Sequence, residues 1–209
     1  YYTGNHDILS KARRSNNAPN NRIVANYCEY IANMSTGFFM GQPVAYSSVS
    51  GDTEAVKALQ DVFRYNDEAE GNLQLAGESS VTGAAYEVLY LDADAEIRFC
   101  SIPAEQMILV TDSTLEENLV AAIRRYRVLG LDGSSYRDYV DVYDAQTVTS
   151  YDYDAGKITR RGEPRLHYFD GVPVIEYPNN EARRGDFEGV MTLVDAYNKA
   201  QSLTLDDME

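Results

Sequence analysis

The sequence predicts an α+β fold, and three observations carry that prediction. Apolar residues recur at helical spacing in the first third of the chain, the period shortens to two between Gly83 and Pro178, and helical spacing returns after Asp186.

The first helix is predicted from about Arg22. It places Val24, Tyr27, Cys28, Ile31, Met34 and Phe38 on one stripe, with Arg22, Asn26, Glu29 and Asn33 opposite, so the stripe is expected to be buried. Pro19 cannot extend a helix backwards, and Asn20 or Asn21 can accept from the free N–H groups of a first turn. Gly37 weakens the last turn. Gly41-Gln42-Pro43 then turns the chain out into Val44-Ala45-Tyr46, which reads as a short strand.

A second helix, capped by Asp52 or Thr53, is predicted through Tyr65 with Val56, Leu59 and Phe63 on one face. The third covers Asp67–Val81, where Asp67, Glu68 and Glu70 suit the positive end of the helix dipole. Leu73, Leu75, Ala76 and Ser80 form its modest inner side. Gly71 and Gly77 weaken it, each by on the order of 1 kcal/mol relative to Ala.

From Gly83 onward the chain favours strands. Residues 84–91 and 96–100 make a hairpin about Asp92-Ala93-Asp94, Pro103 closes it, and 107–110 supplies a third strand before the polar loop 112–118. Between Val120 and Pro178, short strands separated by Leu131-Asp132-Gly133-Ser134, Asp154-Ala155-Gly156-Lys157 and Asp170-Gly171 predict an antiparallel meander with one wet face. Its tyrosines can bury a ring and keep a hydroxyl solvated. The last helix is predicted after a capping Asp186. Val190, Leu193, Val194, Tyr197, Gln201, Leu205 and Met208 share its inner stripe, with Asp195, Lys199 and Asp206 facing away. Residues 1–18 read as an arm with a basic tuft at Lys11, Arg13 and Arg14. The organisation is therefore an arm at 1–18, an α+β body at 19–185 whose β-rich part is 84–178, and the start of a C-terminal helix at 186–209.

Composition narrows the function classes. The chain has 209 residues, 44% of them hydrophobic, enough for a substantial core. Its formal charge of −15 argues against wrapping DNA or an anionic membrane by electrostatics. No run approaches the roughly 20 apolar residues that cross a bilayer, and no leader pattern opens the chain, so a soluble, non-exported protein is expected. The helical pattern still running at Asp206-Asp207-Met208-Glu209 and the missing initiator Met read as a piece of a longer chain. Cys28 and Cys100 read as small core residues rather than as a disulfide pair.

Catalytic constellations are sparse. His6 and His167 have no partner at metal-ligand spacing and read as packed or surface histidines. There is no phosphate-binding glycine-lysine loop, no dinucleotide fingerprint and no glycine-flanked serine; Gly77-Glu78-Ser79-Ser80 lacks the closing glycine. Arg125 and Arg127 face one side of a strand and Arg124 the other, so no continuous basic stripe forms. Arg160-Arg161 and Arg183-Arg184 read as partners for the acidic excess. No catalytic, cofactor-binding or metal-ligating residue is assigned, and no cofactor is implied. The rival reading is a carboxylate-dependent hydrolase of a neutral or cationic substrate, which needs two acids about 5–10 Å apart. A plain monomeric binding module is the third.

Particular motifs say more. Tyr1-Tyr2-Thr3-Gly4-Asn5-His6 with Ile8-Leu9, then Asn20-Asn21-Arg22-Ile23-Val24, Tyr27, Thr36-Gly37-Phe38 and Gly41-Gln42-Pro43-Val44, resemble the N-terminal signature of portal (head-to-tail connector) proteins of long-tailed double-stranded DNA bacteriophages or prophages. The strand opening Gly83-Ala84-Ala85-Tyr86, the acidic turn and Pro103-Ala104-Glu105-Gln106-Met107-Ile108 look like the same family's next block. So do Leu193-Val194-Asp195-Ala196-Tyr197-Asn198, Ser202 and Asp206-Asp207. These blocks, near 1–46, 83–110 and 186–209, follow the family's order. The resemblance implies a non-enzymatic viral structural subunit of a dodecameric ring at one capsid vertex, through which the genome is packaged and ejected. Terminase, capsid and head-completion proteins would dock to it. It further implies residence in the virion, assembly in the host bacterial cytoplasm and no membrane. This chain would be the wing-like part, its last helix leading to an absent stem. The family's DNA-gripping loop has no counterpart here, so no DNA-contacting residue is assigned.

Overall fold

The computed structural model describes every residue except Arg14, Asn16, Asn17, Asp132 and Glu209. Part of the basic tuft, one residue of the 131–134 turn and the last residue of the 186–209 helix therefore lie outside the described residues. The fold is α+β, with four helices and antiparallel sheets among the described residues. The chain divides into two compact units: a helical one formed by Tyr1–Val44, Asn72–Ala84 and Pro178–Glu209, and a sheet-rich one formed by Ala45–Gly71 and Ala85–Tyr177.

In the helical unit, α1 runs from Tyr27 to Met40, five residues later than its sequence pattern suggests. Its cap is Asn26, whose Oδ1 accepts from Glu29 N at 3.4 Å, and not Asn20 or Asn21. Residues 21–25 lie outside any helix, and their alternate amides are bonded to side chains of another helix, which removes them from helix formation. Starting the helix at Tyr27 also selects its packing face. Small Cys28 and Ala32 go inside, where they meet Phe187 and Val194, with Ile31, Val81, Val190 and Met191 packed against them. Tyr27, Met34 and Phe38, expected inside, lie outside; Phe38 is 95% exposed.

The final helix α4 spans Met191–Met208 behind a 3-10 turn at Glu188–Val190. Its inner face is Val194, Asn198 and Ser202. Of the predicted stripe, Val194 is buried and Val190 half-buried, whereas Leu193, Tyr197, Gln201, Leu205 and Met208 are exposed; Lys199 faces away as expected. Asp186 does not cap it. The Asp186 carboxylate accepts from Ser80 Oγ and Asn179 Nδ2, both at 2.7 Å, and its N–H donates to Ser80 O. It thereby clasps the end of α3 (Glu68–Thr82) to the 179–186 connection. Gly83 belongs to the same clasp: its φ is +91°, and a Cβ there would meet Arg183 O at 2.1 Å. A side chain is excluded on both counts.

In the sheet unit, α2 (Thr53–Tyr65) begins at Asp52, whose Oδ1 accepts from Ala55 N at 3.0 Å. Two sheets follow. One has the order β2-β1-β9, with β1 at Ala84–Leu91, β2 at Ile97–Ile102 and β9 at Val174–Pro178. The other has the order β3-β4-β5-β6-β7, with a short β8 (Arg165–Leu166) also on β6. Its strands are β3 Met107–Thr111, β4 Leu119–Leu129, β5 Tyr136–Tyr143, β6 Thr147–Asp154 and β7 Lys157–Arg160.

The expected meander holds from β4 to β7, with β3 added on the free edge of β4. It ends before β9, which crosses to pair with β1 and seals the first sheet, Leu89 N donating to Pro173 O at 2.9 Å. Val88, Ile102, Met107, Ala122, Tyr143 and Val174 form the buried core. Residues 44–46 form no strand among the described elements. Instead the Tyr46 ring packs tilted against Phe63 with centroids 4.7 Å apart, and its hydroxyl donates to Glu68 at 2.5 Å.

Candidate functional site: a polar clasp and a cleft

Residues 21, 23 and 25, in the segment just before α1 that forms the arm of this clasp and is distinct from residues 1–18, point their N–H groups at α4. Asn21 N donates to Asp206 Oδ1 at 2.7 Å, Ile23 N to Ser202 Oγ at 2.9 Å and Ala25 N to Asn198 Oδ1 at 2.9 Å. The match is geometric. Two extended residues advance about 6.7 Å, and four helical residues advance about 6.0 Å. Alternate amides of the arm thus stay in step with every fourth side chain of the helix over three contacts. The small polar residues at 198, 202 and 206 act as rungs for a strand that has no sheet.

Each rung is completed from elsewhere in the same unit. Ser202 Oγ donates to Asn198 O at 2.8 Å while accepting from Ile23. Asp206 also accepts from Asn21 Nδ2 at 3.1 Å and from the Lys11 ammonium. Lys11, with Asn21, holds the Asp206 carboxyl below the usual carboxylate range. Asn198 uses its oxygen on Ala25, so its Nδ2 donates to His6 Nδ1 at 3.2 Å. The His6 proton then sits on Nε2 and is donated to Asn26 Oδ1 at 3.2 Å, and Asn26 Nδ2 donates to Tyr2 O at 2.9 Å. One consistent set of donors and acceptors runs from the arm through His6 to the cap of α1. Tyr1 adds a bond from its hydroxyl to Asp195 Oδ2 at 2.6 Å, and that carboxylate raises the tyrosine's pKa.

These groups are buried: Asn198 and Ser202 are 0% exposed and His6 is 2%. With Asn198, Ser202 and His6 each bonded on both their donor and acceptor atoms within the unit, the clasp is built to hold backbone and not to receive a substrate. The spacing 198, 202, 206 was legible in the sequence. Its direction was not, because polar residues on a helix ordinarily face water.

The sheet unit has a cleft of about 610 Å³ lined by Val88–Asp92, Cys100, Arg124, Tyr143, Arg165 and His167, among others. Cys100 is exposed at its edge and is not the core residue expected, whereas Cys28 is fully buried; both are free thiols. His167 is buried, its Nε2 bonded to Asp144 O at 3.0 Å and its Nδ1 accepting from Phe169 N at 3.1 Å. Burial, with Asp141 nearby, pushes the Tyr143 hydroxyl up to about 12. Asp92 is the one carboxylate among the described lining residues, and it is committed to its own turn. It accepts from Asp94 N and Glu96 N, each at 3.0 Å, and from Tyr65 Oη at 2.9 Å. The paired acids a hydrolase would need do not line this cleft.

Other candidates are spoken for within the fold. Arg127 and Arg125 share Asp138, at 2.6 and 3.5 Å, and Arg124 bonds Gln106 Oε1 at 3.3 Å on the other face. Arg160 meets Glu163 at 2.7 Å, while Arg161 lies 4.5 Å over the Tyr139 ring. Among the described residues no group of three or more His, Cys, Asp or Glu could hold a metal ion. No helix there is long and apolar enough to cross a membrane.

The family described as "Phage portal protein, SPP1 Gp6-like" matches residues 1–209. The chain belongs to the phage portal protein family. The portal protein of Bacillus phage SPP1 is 26% identical over 232 aligned residues, covering 99% of this chain and 45% of that protein. The portal protein of Clostridium phage phiCD119 is 23% identical over 231 aligned residues, covering 100% of this chain and 51% of that protein. The chain therefore spans about half the length of these portal relatives. Within it, the portal-like motifs at 1–6, 20–24 and 193–206 converge on the clasp, and Gly83 closes the connection beside it.

Proposed function

We propose that this chain is the wing-like part of a portal ring subunit, placed at one vertex of the capsid and serving as a conduit for genome packaging and ejection. The single observation that carries this reading is the portal family match along residues 1–209. The subunit number follows the resemblance: a dodecamer. Terminase, capsid and head-completion proteins are its docking partners, and the ring assembles in the host bacterial cytoplasm before entering the virion. On this reading residues 1–18 are an arm, 19–185 the wing body and 186–209 the start of a helix leading into the stem. DNA contacts belong to parts outside this chain, and the role is structural, not catalytic. A formal charge of −15 suits a body beside a polyanion that must slide, since many basic contacts would hold it fast.

The test is the solution mass of the protein in its full genomic length, by light scattering and negative-stain imaging. Closed rings of about twelve subunits support the reading. A strict monomer at high concentration overturns it.

A further inference from the structure

α1 and α4 turn small residues inward, Cys28 and Ala32 on α1 and Asn198 and Ser202 on α4, and the two on α4 hold the amides of residues 23 and 25. Outside lies a stripe of Tyr27, Tyr30, Met34 and Phe38 on α1 and Leu193 and Tyr197 on α4, exposed to 45, 61, 57, 95, 68 and 40% respectively. The stripe crosses from helix to helix without a break, because the Tyr27 and Tyr197 rings touch edge-to-face with centroids 5.5 Å apart. We infer that this stripe is a contact surface for a second copy of the chain.

Three features of the surface select that occupant. First, size: at about 200 Å² per large side chain, these residues expose on the order of 700 Å². That exceeds the roughly 300–600 Å² of the largest apolar patch on an ordinary monomer and approaches the ~800 Å² that each partner contributes to a stable interface. Second, charge: every copy carries a formal charge of −15, so most surfaces of two copies repel. The fourteen residues of α1 carry one charged side chain, Glu29, which makes this stripe a place where copies approach at low electrostatic cost. Third, composition: Tyr, Phe and Met without Lys or Asp is the make-up of interface centres. In a ring each copy presents two different faces, so the stripe of one meets a different surface of the next.

The inference rests on the ring reading, and the experiment separates the two. The protein in its full genomic length is prepared with a photo-activatable cross-linking residue in place of Met34, and separately as the Tyr30→Asp, Phe38→Asp double variant. The expected result is a cross-linked ladder at multiples of the chain mass, with the ring fraction of the double variant at least tenfold lower at equal concentration. Its helix and strand content by circular dichroism should stay unchanged. Normal rings with cross-links confined to the same chain, or formed only to a different protein, overturn the inference and leave the ring standing. Absence of rings in the unsubstituted protein overturns both.

Discussion

In the sheet unit the packed core is Val88, Ile102, Met107, Ala122, Tyr143 and Val174, with Glu87, Asp141, Ser150 and His167 also buried but keeping 7–8% exposure, whereas in the helical unit Asn198, Ser202 and His6, at 0–2%, are as buried as Cys28 and Ala32. The first core is assembled by excluding water from hydrocarbon, a non-directional force that tolerates modest repacking. The second is assembled largely by matching donors to acceptors, which is directional and fails when one partner is lost. The contrast explains why a single chain can show its strands openly and disguise its helices.

The largest expected effect lies in the sheet unit. Ile102→Ala removes a side chain that is 3% exposed in the centre of the core. It should lower stability by about 3–4 kcal/mol in urea unfolding, the usual cost of a cavity at such a site. A loss below about 1 kcal/mol would mean that the two sheets do not form a close-packed core.

Asn198→Leu sharpens the comparison further. Leucine branches at Cγ as asparagine does, although it is larger, and would be welcome on an apolar helix face. Here it strands Ala25 N–H and takes the donor from His6, so a loss of about 2–3 kcal/mol is expected. A stabilised variant would show that position 198 belongs to an ordinary hydrophobic seam.

Acid should act on the helical unit through Asp206. Its folded pKa is depressed by Lys11 and Asn21, so its contribution is fully present above the unfolded value near 4. It is lost as pH falls through the folded value. Asp206→Asn should therefore be less stable than the parent at pH 7, and the difference should shrink toward pH 2 in parallel urea titrations. A difference that widens toward low pH would reverse the assigned sign. The smallest effect is expected at Leu193→Ser, within about 0.5 kcal/mol in the monomeric chain, because the side chain is 68% exposed.

The strand blocks were legible because alternation is a local property: the side chains of 120–128 and 139–143 announce two faces whichever strand pairs with them. The hairpin about Asp92 and the helix capped by Asp52 were legible for the same reason, since the chemistry that fixes them lies within a few residues. What escaped were features set at long range. The start of α1 moved from Arg22 to Tyr27 because Asn198, Ser202 and Asp206, more than 170 residues away, capture the amides of 21–25. β9 left the meander because β1 offered it a free edge. The inner face of α4 kept Val194 but turned from Leu193, Tyr197 and Gln201 to Asn198 and Ser202, because periodicity reports that a helix has two sides, and not which side another part of the chain will bind. The motifs of the clasp could be seen in the sequence, while their role as rungs needed the fold.

The most direct test of the clasp is amide hydrogen exchange across residues 21–25 by NMR. If the arm is a strand laid on α4, the amides of Asn21, Ile23 and Ala25 are protected while those of Arg22 and Val24 exchange much faster. Uniform protection through this segment, as a helix beginning near Arg22 would give, or no protection at all, would contradict it.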